Sequence, residues 1–260
     1  MQFSRDFMYQ VRPKVGLPMV RLGRLFDGGY VLPKVVLERC ENLISLGYGY
    51  DKSFEEDFLK ISKRNRVTLY DSTINLWLVF KNLIKSCFKF IGGQNAWPPY
   101  RAKLLFNYIL LLVNPRIKYK VAFVSQKSCE KSKGIDEILS KTLQSNSILK
   151  MDIEGSEYDC LKSVLFFPES IKCLIIEFHE IDVRNIEFFK IIQEIEVNFT
   201  LVNTHINNYG AIVNQVPTVL ELCFVRNSMI FDVVLSPASK IPSENDFPCD
   251  PRKSEIVYEF

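Results

Sequence analysis

The 260-residue sequence contains no Cys-x-x-Cys pair, and its seven cysteines (40, 87, 129, 160, 173, 223 and 249) are odd in number and widely scattered. That argues against a disulfide framework and against a zinc site of the spaced-ligand kind. Reduced, buried thiols in a reducing compartment are expected instead. No stretch approaches the ~20 apolar residues needed to span a bilayer. The first residues, Met1 to Asp6, carry an acid early and lack the apolar run of a signal peptide. The net charge is only +3, too mild for the whole chain to imply nucleic acid. These absences predict a cytoplasmic protein, soluble or peripheral to a membrane, with no nucleic-acid partner. With 47% hydrophobic and 24% charged residues, the chain is long enough for one α/β domain with insertions and a real core.

One stretch organises the rest. Residues 148–151 form a short apolar run, interrupted by Lys150, that ends at Asp152; Glu154, Gly155 and Glu157 follow, and a helical pattern begins at Tyr158. This reads as a buried parallel strand running into a loop and then a helix. Loops beyond the carboxyl ends of such strands line the ligand crevice of open α/β sheets, so three acids in six residues are placed for chemistry. The plainer alternative is that Glu154 and Glu157 complement the dipole of the helix N-terminus.

Upstream, residues 42–51 read as a strand entering a glycine turn, Gly47-Tyr-Gly49, followed by Asp51. Ser53 and Glu56 then suggest a capping box for the next helix. Strand, glycine turn and helix make the geometry of a nucleotide-type site. The third glycine of a dinucleotide fingerprint is missing, which disfavours a nicotinamide-dependent oxidoreductase. A second strand, 67–71, ends in Asp71, 24 positions after Gly47. An acid there can accept hydrogen bonds from both hydroxyls of a ribose. Before these lies Asp27-Gly28-Gly29-Tyr30, a tight turn that is either a hairpin tip or a Cβ-free approach for a ligand.

Residues 75–120 interrupt the alternation of strands and helices. Two apolar runs flank a loop marked by Gly92-Gly93 and Pro98-Pro99. Lys81, Lys85 and Lys89 fall four apart, on one helical stripe, and the segment has no Asp or Glu. It reads as an inserted helical cap: a lid with solvated lysines, a face for an anionic substrate or membrane surface, or both. Further strands are predicted at 121–124, 172–178, from 199, and 217–226, with helices from 134 and over 186–197. The fifth strand ends at His179. Asn203, His205, Asn207 and Asn208 form a polar turn that either binds substrate hydroxyls or binds nothing. The tail from Ser236 is expected to wrap the surface. A metal site built from Asp152, Glu154 and His179 stays open as an alternative, although no tight ligand spacing supports one.

Seven strands alternating with helices, a glycine turn after the first and an acid after the second describe a class I methyltransferase-like Rossmann fold. This is an α/β fold with a seven-stranded, mostly parallel sheet, here carrying a helical insertion in a single domain. The motifs Lys150-Met-Asp152-Ile-Glu154-Gly155-Ser-Glu157, Asp27-Gly-Gly-Tyr30, Leu46-Gly47-Tyr-Gly49 with Asp51, and Pro217-Thr-Val-Leu-Glu221 resemble the FkbM-type methyltransferase family. The resemblance spans roughly residues 20–74 and 119–235. It implies methyl transfer from S-adenosylmethionine to a hydroxyl, often on a sugar of a glycan or glycoconjugate. The first glycine motif departs from the acid-x-Gly-x-Gly start common in methyltransferases, so Asp27 or Asp51 would meet the methionine end. Gly47, Gly49 and Asp71 complete the expected cofactor site.

A sugar hydroxyl needs a base as it attacks. The catalytic candidates at the carboxyl edge are Asp152, Glu154 and His179. Asp152 or His179 is expected as base, with Glu154 and Glu157 ordering substrate or loop, and Glu157, Tyr30, His205 and Asn207 as substrate contacts. A rival reading is a catalytically silent protein that keeps the fold and docks on anionic membrane or glycan.

Overall fold

The computed structural model describes residues 3–47, 49, 51–72, 76–91, 98–128, 132–167 and 169–260. Seven strands share one sheet: β1 (Asn42–Leu46), β2 (Arg66–Asp71), β3 (Ile117–Val121), β4 (Ser147–Met151), β5 (Ile171–Phe178), β6 (Phe199–Ile206) and β7 (Leu220–Arg226). Their order is β3-β2-β1-β4-β5-β7-β6. The pairs from β3 through β5 are parallel, and β7 runs antiparallel to both β5 and β6. The chain leaves β1 in one direction and returns to β4 on its other side. The switch point, where a crevice opens beyond the strand ends, therefore lies between β1 and β4.

The sheet is covered on both faces, and its side chains sort by the two-residue period of a strand. Ile44, Leu46, Leu149, Met151, Leu174 and Ile176 enter one core. There they meet the helices Ile135–Thr142, Glu157–Val164 and Asn185–Glu196. Leu43, Val67, Leu69, Ile148, Cys173 and Ile175 enter the other, with Phe54 and Phe58 of the helix Ser53–Ile61. Every residue of β4 and of β7 is buried, which is why these strands read as nearly unbroken apolar runs.

The third strand lies at Ile117–Val121, four residues before its predicted start at 121. It is an edge strand, and its exposed Lys118 and Lys120 alternate with half-buried Ile117 and Tyr119, so its half-apolar pattern was masked by lysines. Phe123–Ser125 instead pairs with Ser132–Gly134 in a separate two-stranded ribbon. The last strand starts at Leu220, because Val216–Pro217 belongs to a hairpin with Ile212–Val213. The predicted capping box at Ser53 is absent. The N-cap position is Lys52, Asp51 Oδ1 accepts the Ser53 N–H at 2.9 Å, and Glu56 pairs with Lys52 at 2.8 Å.

Between β2 and β3 stand two helices, Leu76–Ile91 and Pro98–Val113. Pro98 opens the second of them, where proline costs no hydrogen bond, so Pro98-Pro99 belongs to a helix start and not to a loop. The Gly92-Gly93 turn, Cys129 and the start of the first apolar run at Ile74 lie outside the described residues. In the C-terminal tail Lys240–Ile241 pairs with Tyr258–Glu259, and Asp246, Cys249 and Asp250 are buried.

Candidate active site

A cavity of about 900 Å³ opens beyond the carboxyl ends of β1, β2, β4 and β5. Its wall includes Asp27, Gly28, Tyr30, Gly47, Gly49, Asp51, Asp71, Asp152, Glu154, His179 and Asn207, ten of them predicted as site residues. Glu157 and His205, also predicted, do not line it.

The glycine turn forms one end. Gly47 has φ of +84°, and a Cβ there would lie 1.7 Å from the Asp152 carbonyl oxygen. Only glycine lets the β1 and β4 exits approach this closely. The Gly49 N–H donates to Asp71 Oδ2 at 3.0 Å, so the acid ending β2 holds the turn following β1. Gly49 itself, at φ +56°, has open space where a side chain would be. Asp51 is engaged by Arg24 Nε at 2.7 Å as well as by the Ser53 amide. The Asp27-Gly28-Gly29 turn is a hairpin loop, joining Met19–Leu22 to Tyr30–Pro33, and it also lines the cavity; the two alternatives for it are compatible. Burial raises the Asp27 pKa, against the pull of Arg24.

The other end is a cluster of acids around Tyr30. The Tyr30 hydroxyl lies 3.2 Å from both Asp152 Oδ2 and Glu177 Oε2. Burial, then the charges of Asp152 and Glu177, push its pKa well above the usual phenol value, so it stays a donor. Glu177, buried and close to Asp152, is likewise raised well above the carboxylate range, and it accepts from Asn207 Nδ2 at 2.8 Å. Beneath them Lys150 donates to the Gly47 carbonyl at 2.9 Å, stands 3.9 Å from Asp152 and sits 4.9 Å over the Tyr30 ring. Its positive charge offsets the buried acids Glu55 and Glu177.

Glu157 takes a role other than substrate contact. It is fully buried, and its two carboxylate oxygens accept the Ile153 and Gly155 N–H groups at 2.9 Å each. The same carboxylate lies 3.2 Å from His179 Nδ1. An acceptor already holding two amides makes Nδ1 the protonated nitrogen, and leaves Nε2 free to accept a proton. Nε2 faces the cavity, 3.6 Å from Glu177 and 3.7 Å from Glu154. Burial alone would lower the His179 pKa, but the Glu157 bond and charge, with Asp152 and Glu154, outweigh it and raise it. Glu154 occupies the left-handed region at φ +54° and its side chain is 86% exposed, so the turn throws it outward while Glu157 points inward. Asp152, Glu154 and His179 bring ligand atoms within 4.8 Å of one another, close enough to share a cation, although their spacing in sequence predicted none.

His205 is fully buried on β6, 2.9 Å from Glu221 and 3.3 Å from Glu255 of the tail. It does not line the cavity, and Glu255 of the tail lies against its Nε2, so the structure does not bring it to the expected substrate position. Lys150, read in sequence only as an interruption and a motif residue, and Glu177 are further members of the site; a charge inside an apolar strand does not announce its role. Lys103, Leu104 and Asn107, from the helix Pro98–Val113, also line the cavity.

The β3-β2-β1-β4-β5-β7-β6 order with its antiparallel β7 is that of the expected class I methyltransferase-like fold. Residues 131–210 match the methyltransferase FkbM domain. That segment holds Lys150, Asp152, Glu154, Glu157, Glu177, His179 and Asn207, the acidic end of the cavity, and the FkbM match implies S-adenosylmethionine as methyl donor and supports methyl transfer as the activity. No curated protein matches the chain in sequence. Among solved structures, it is similar to the Methanococcus jannaschii fibrillarin pre-rRNA processing protein, at 9% identity and TM-score 0.41 over 73% of this chain and 68% of that one. It is also similar to a precorrin-6y C5,15-methyltransferase from Geobacter metallireducens, at 9% identity and TM-score 0.37 over 74% of this chain and 86% of that one. Spermidine synthase from Thermotoga maritima is a third, at 12% identity and TM-score 0.41 over 77% and 59%. The fold assignment rests on strand order and not on these likenesses. No helix among the described residues is long and apolar enough to cross a membrane.

The residues present suit S-adenosylmethionine. Asp71 ends β2 where a ribose acceptor belongs, the open Gly49 turn admits close approach, and the Asp152 carboxylate at the far end suits a sulfonium charge.

Proposed function

We propose that this protein transfers a methyl group from S-adenosylmethionine to a hydroxyl of a sugar or glycoconjugate, with His179 as base. The observation carrying this reading is that one cavity joins the Gly47–Gly49–Asp71 end to the His179–Asp152–Glu177 end. When bound, the cofactor supplies the methyl group and its leaving group; the protein contributes alignment, a dry site and proton removal. Gly47, Gly49 and Asp71 hold the nucleoside part, with Asp27 and Asp51 toward the methionine end. The acceptor hydroxyl would enter the part of the cavity lined by His179 and Asp152. His179 takes the proton, and Glu157, fixed by two backbone amides, orients the ring and stabilises the imidazolium that forms, as the buried acid of a catalytic triad does. Asp152 is the rival base, but Tyr30 already directs a hydrogen bond toward it and Lys150 stands beside it. Asn207 and Glu154 would meet acceptor hydroxyls, and Tyr209, also in the cavity wall, is half exposed.

The test is methyl transfer from labelled S-adenosylmethionine to a panel of free and conjugated sugars, with and without a chelator. Label on a sugar oxygen, dependent on His179 and unaffected by chelation, is the expected result. Label on nitrogen or carbon acceptors alone would refute the hydroxyl assignment. Loss of activity on chelation would move the Asp152–Glu154–His179 cluster from base to cation site.

A further inference from the structure

The helices Leu76–Ile91 and Pro98–Val113 have more apolar surface than the fold uses. On the first, Val79 and the half-buried Leu83 face the protein. Trp77, Phe80, Ile84, Phe88 and Ile91, 40–81% exposed, follow at spacings of three and four and form a second apolar stripe turned to solvent. The second helix repeats the pattern, with Phe106, Ile109, Leu110 and Val113 42–67% exposed while Tyr108 and Leu111 are buried. Scattered exposed apolar side chains are ordinary, but continuous stripes mark an interaction surface.

Charge identifies the partner. Lys81, Lys85 and Lys89 are exposed, and each lies one position beyond Phe80, Ile84 or Phe88, along the margin of the stripe. From Ser72 to Ser128 the sequence has nine Lys or Arg and no Asp or Glu. An aromatic stripe bordered by lysines is the pattern of a helix lying in the interface of an anionic bilayer. Neither helix, at 16 residues each, is long enough to span one. A second copy of this chain fits less well, because a two-fold contact would bring like-charged lysine rows together.

We infer that these two helices dock on anionic phospholipid, so that the cavity, whose wall includes Lys103, Leu104 and Asn107 of the second helix, opens toward an acceptor anchored in the membrane. The docking stands on the surface alone; the anchored acceptor rests on the methyl-transfer reading above.

The experiment is co-sedimentation of the full chain with vesicles of phosphatidylcholine and phosphatidylserine, and with phosphatidylcholine alone. One variant carries Lys81→Glu, Lys85→Glu and Lys89→Glu; another carries Trp77→Ser and Phe88→Ser. All five side chains are exposed, so both variants should fold, which an unchanged thermal shift with S-adenosylhomocysteine checks. Expected is sedimentation with the anionic vesicles only, weakened roughly tenfold or more in each variant and by salt. Three results would overturn the inference: no sedimentation, equal sedimentation with both vesicle types, or a self-associated species abolished by the same variants. Failure here with an intact ligand shift would leave the methyl-transfer reading standing. A failed ligand shift with intact vesicle binding would remove only the acceptor consequence.

Discussion

The two histidines of this protein sit in similar company and differ in access. His179 follows β5 and has Glu157, Glu154 and Glu177 within 3.7 Å. His205, on β6, has Glu221 and Glu255 within 3.3 Å, and Cys249 Sγ lies 4.0 Å from its Nδ1. The side chain of His179 is 16% exposed and reaches the cavity, whereas that of His205 is 0% exposed. The same chemistry is therefore a candidate base in one place and a buried ion cluster in the other. Around His205 burial alone would lower the pKa, yet the Glu221 charge and the bonds to Cys249, Glu221 and Glu255 raise it well above the histidine value. The cluster also ties the tail to the site, since the Asp27 N–H donates to the Cys249 carbonyl.

This contrast predicts opposite responses to substitution. His205→Ala leaves Glu221 and Glu255 without their buried partner and should cost about 3–5 kcal/mol of stability in denaturant titration, the largest effect expected. A cost near zero would mean that the cluster is not a closed ion network. His179→Ala should slow methyl transfer by about 10²–10⁴-fold, with cofactor affinity retained and little loss of stability. If instead the stability losses of the two variants match, the distinction between them fails. Glu157→Gln separates a positioning role from a merely structural one: it should move the pH–rate profile to lower pH by removing the charge that raises the His179 pKa, whereas a purely structural loss would lower the rate at every pH alike.

Much of this site was legible in sequence. Gly47, Asp71 and Asp152 each end or follow an apolar run, and strand ends are where a parallel sheet places chemistry. Glu154 and Glu157 could not be told apart, because a left-handed turn at Glu154 and Gly155 sends one out and the other in. His205 resembled His179 for a similar reason: its burial depends on Glu255 and Cys249, more than 40 residues away, which no local pattern reveals. The roles of Lys150 and Glu177 were not legible, because a charge within a buried strand is explained only by its cross-strand partners. The third strand was displaced in the reading because an edge strand shows only half an apolar pattern.

Smaller effects sharpen the same comparison. Gly47→Ala meets both a positive φ and the Asp152 carbonyl and should cost about 2 kcal/mol or more, read by thermal unfolding. For pH, His205 and His179 both have folded pKa values above the unfolded value of about 6.5. Their contribution to stability is fully present below that value and is lost as pH rises through the folded pKa. Stability should therefore fall on the alkaline side, and His205→Gln should flatten that fall more than His179→Gln. The reverse ranking would contradict the assignment of the tighter cluster to β6.

Every role proposed for this cavity depends on its binding S-adenosylmethionine. Thermal unfolding with and without S-adenosylmethionine and S-adenosylhomocysteine, on the wild type and on Asp71→Ala, tests it most directly. Ligand at ~100 times its dissociation constant should add about 2.7 kcal/mol to the wild type, with the shift abolished in Asp71→Ala. No shift with either ligand at millimolar concentration would contradict the proposed function.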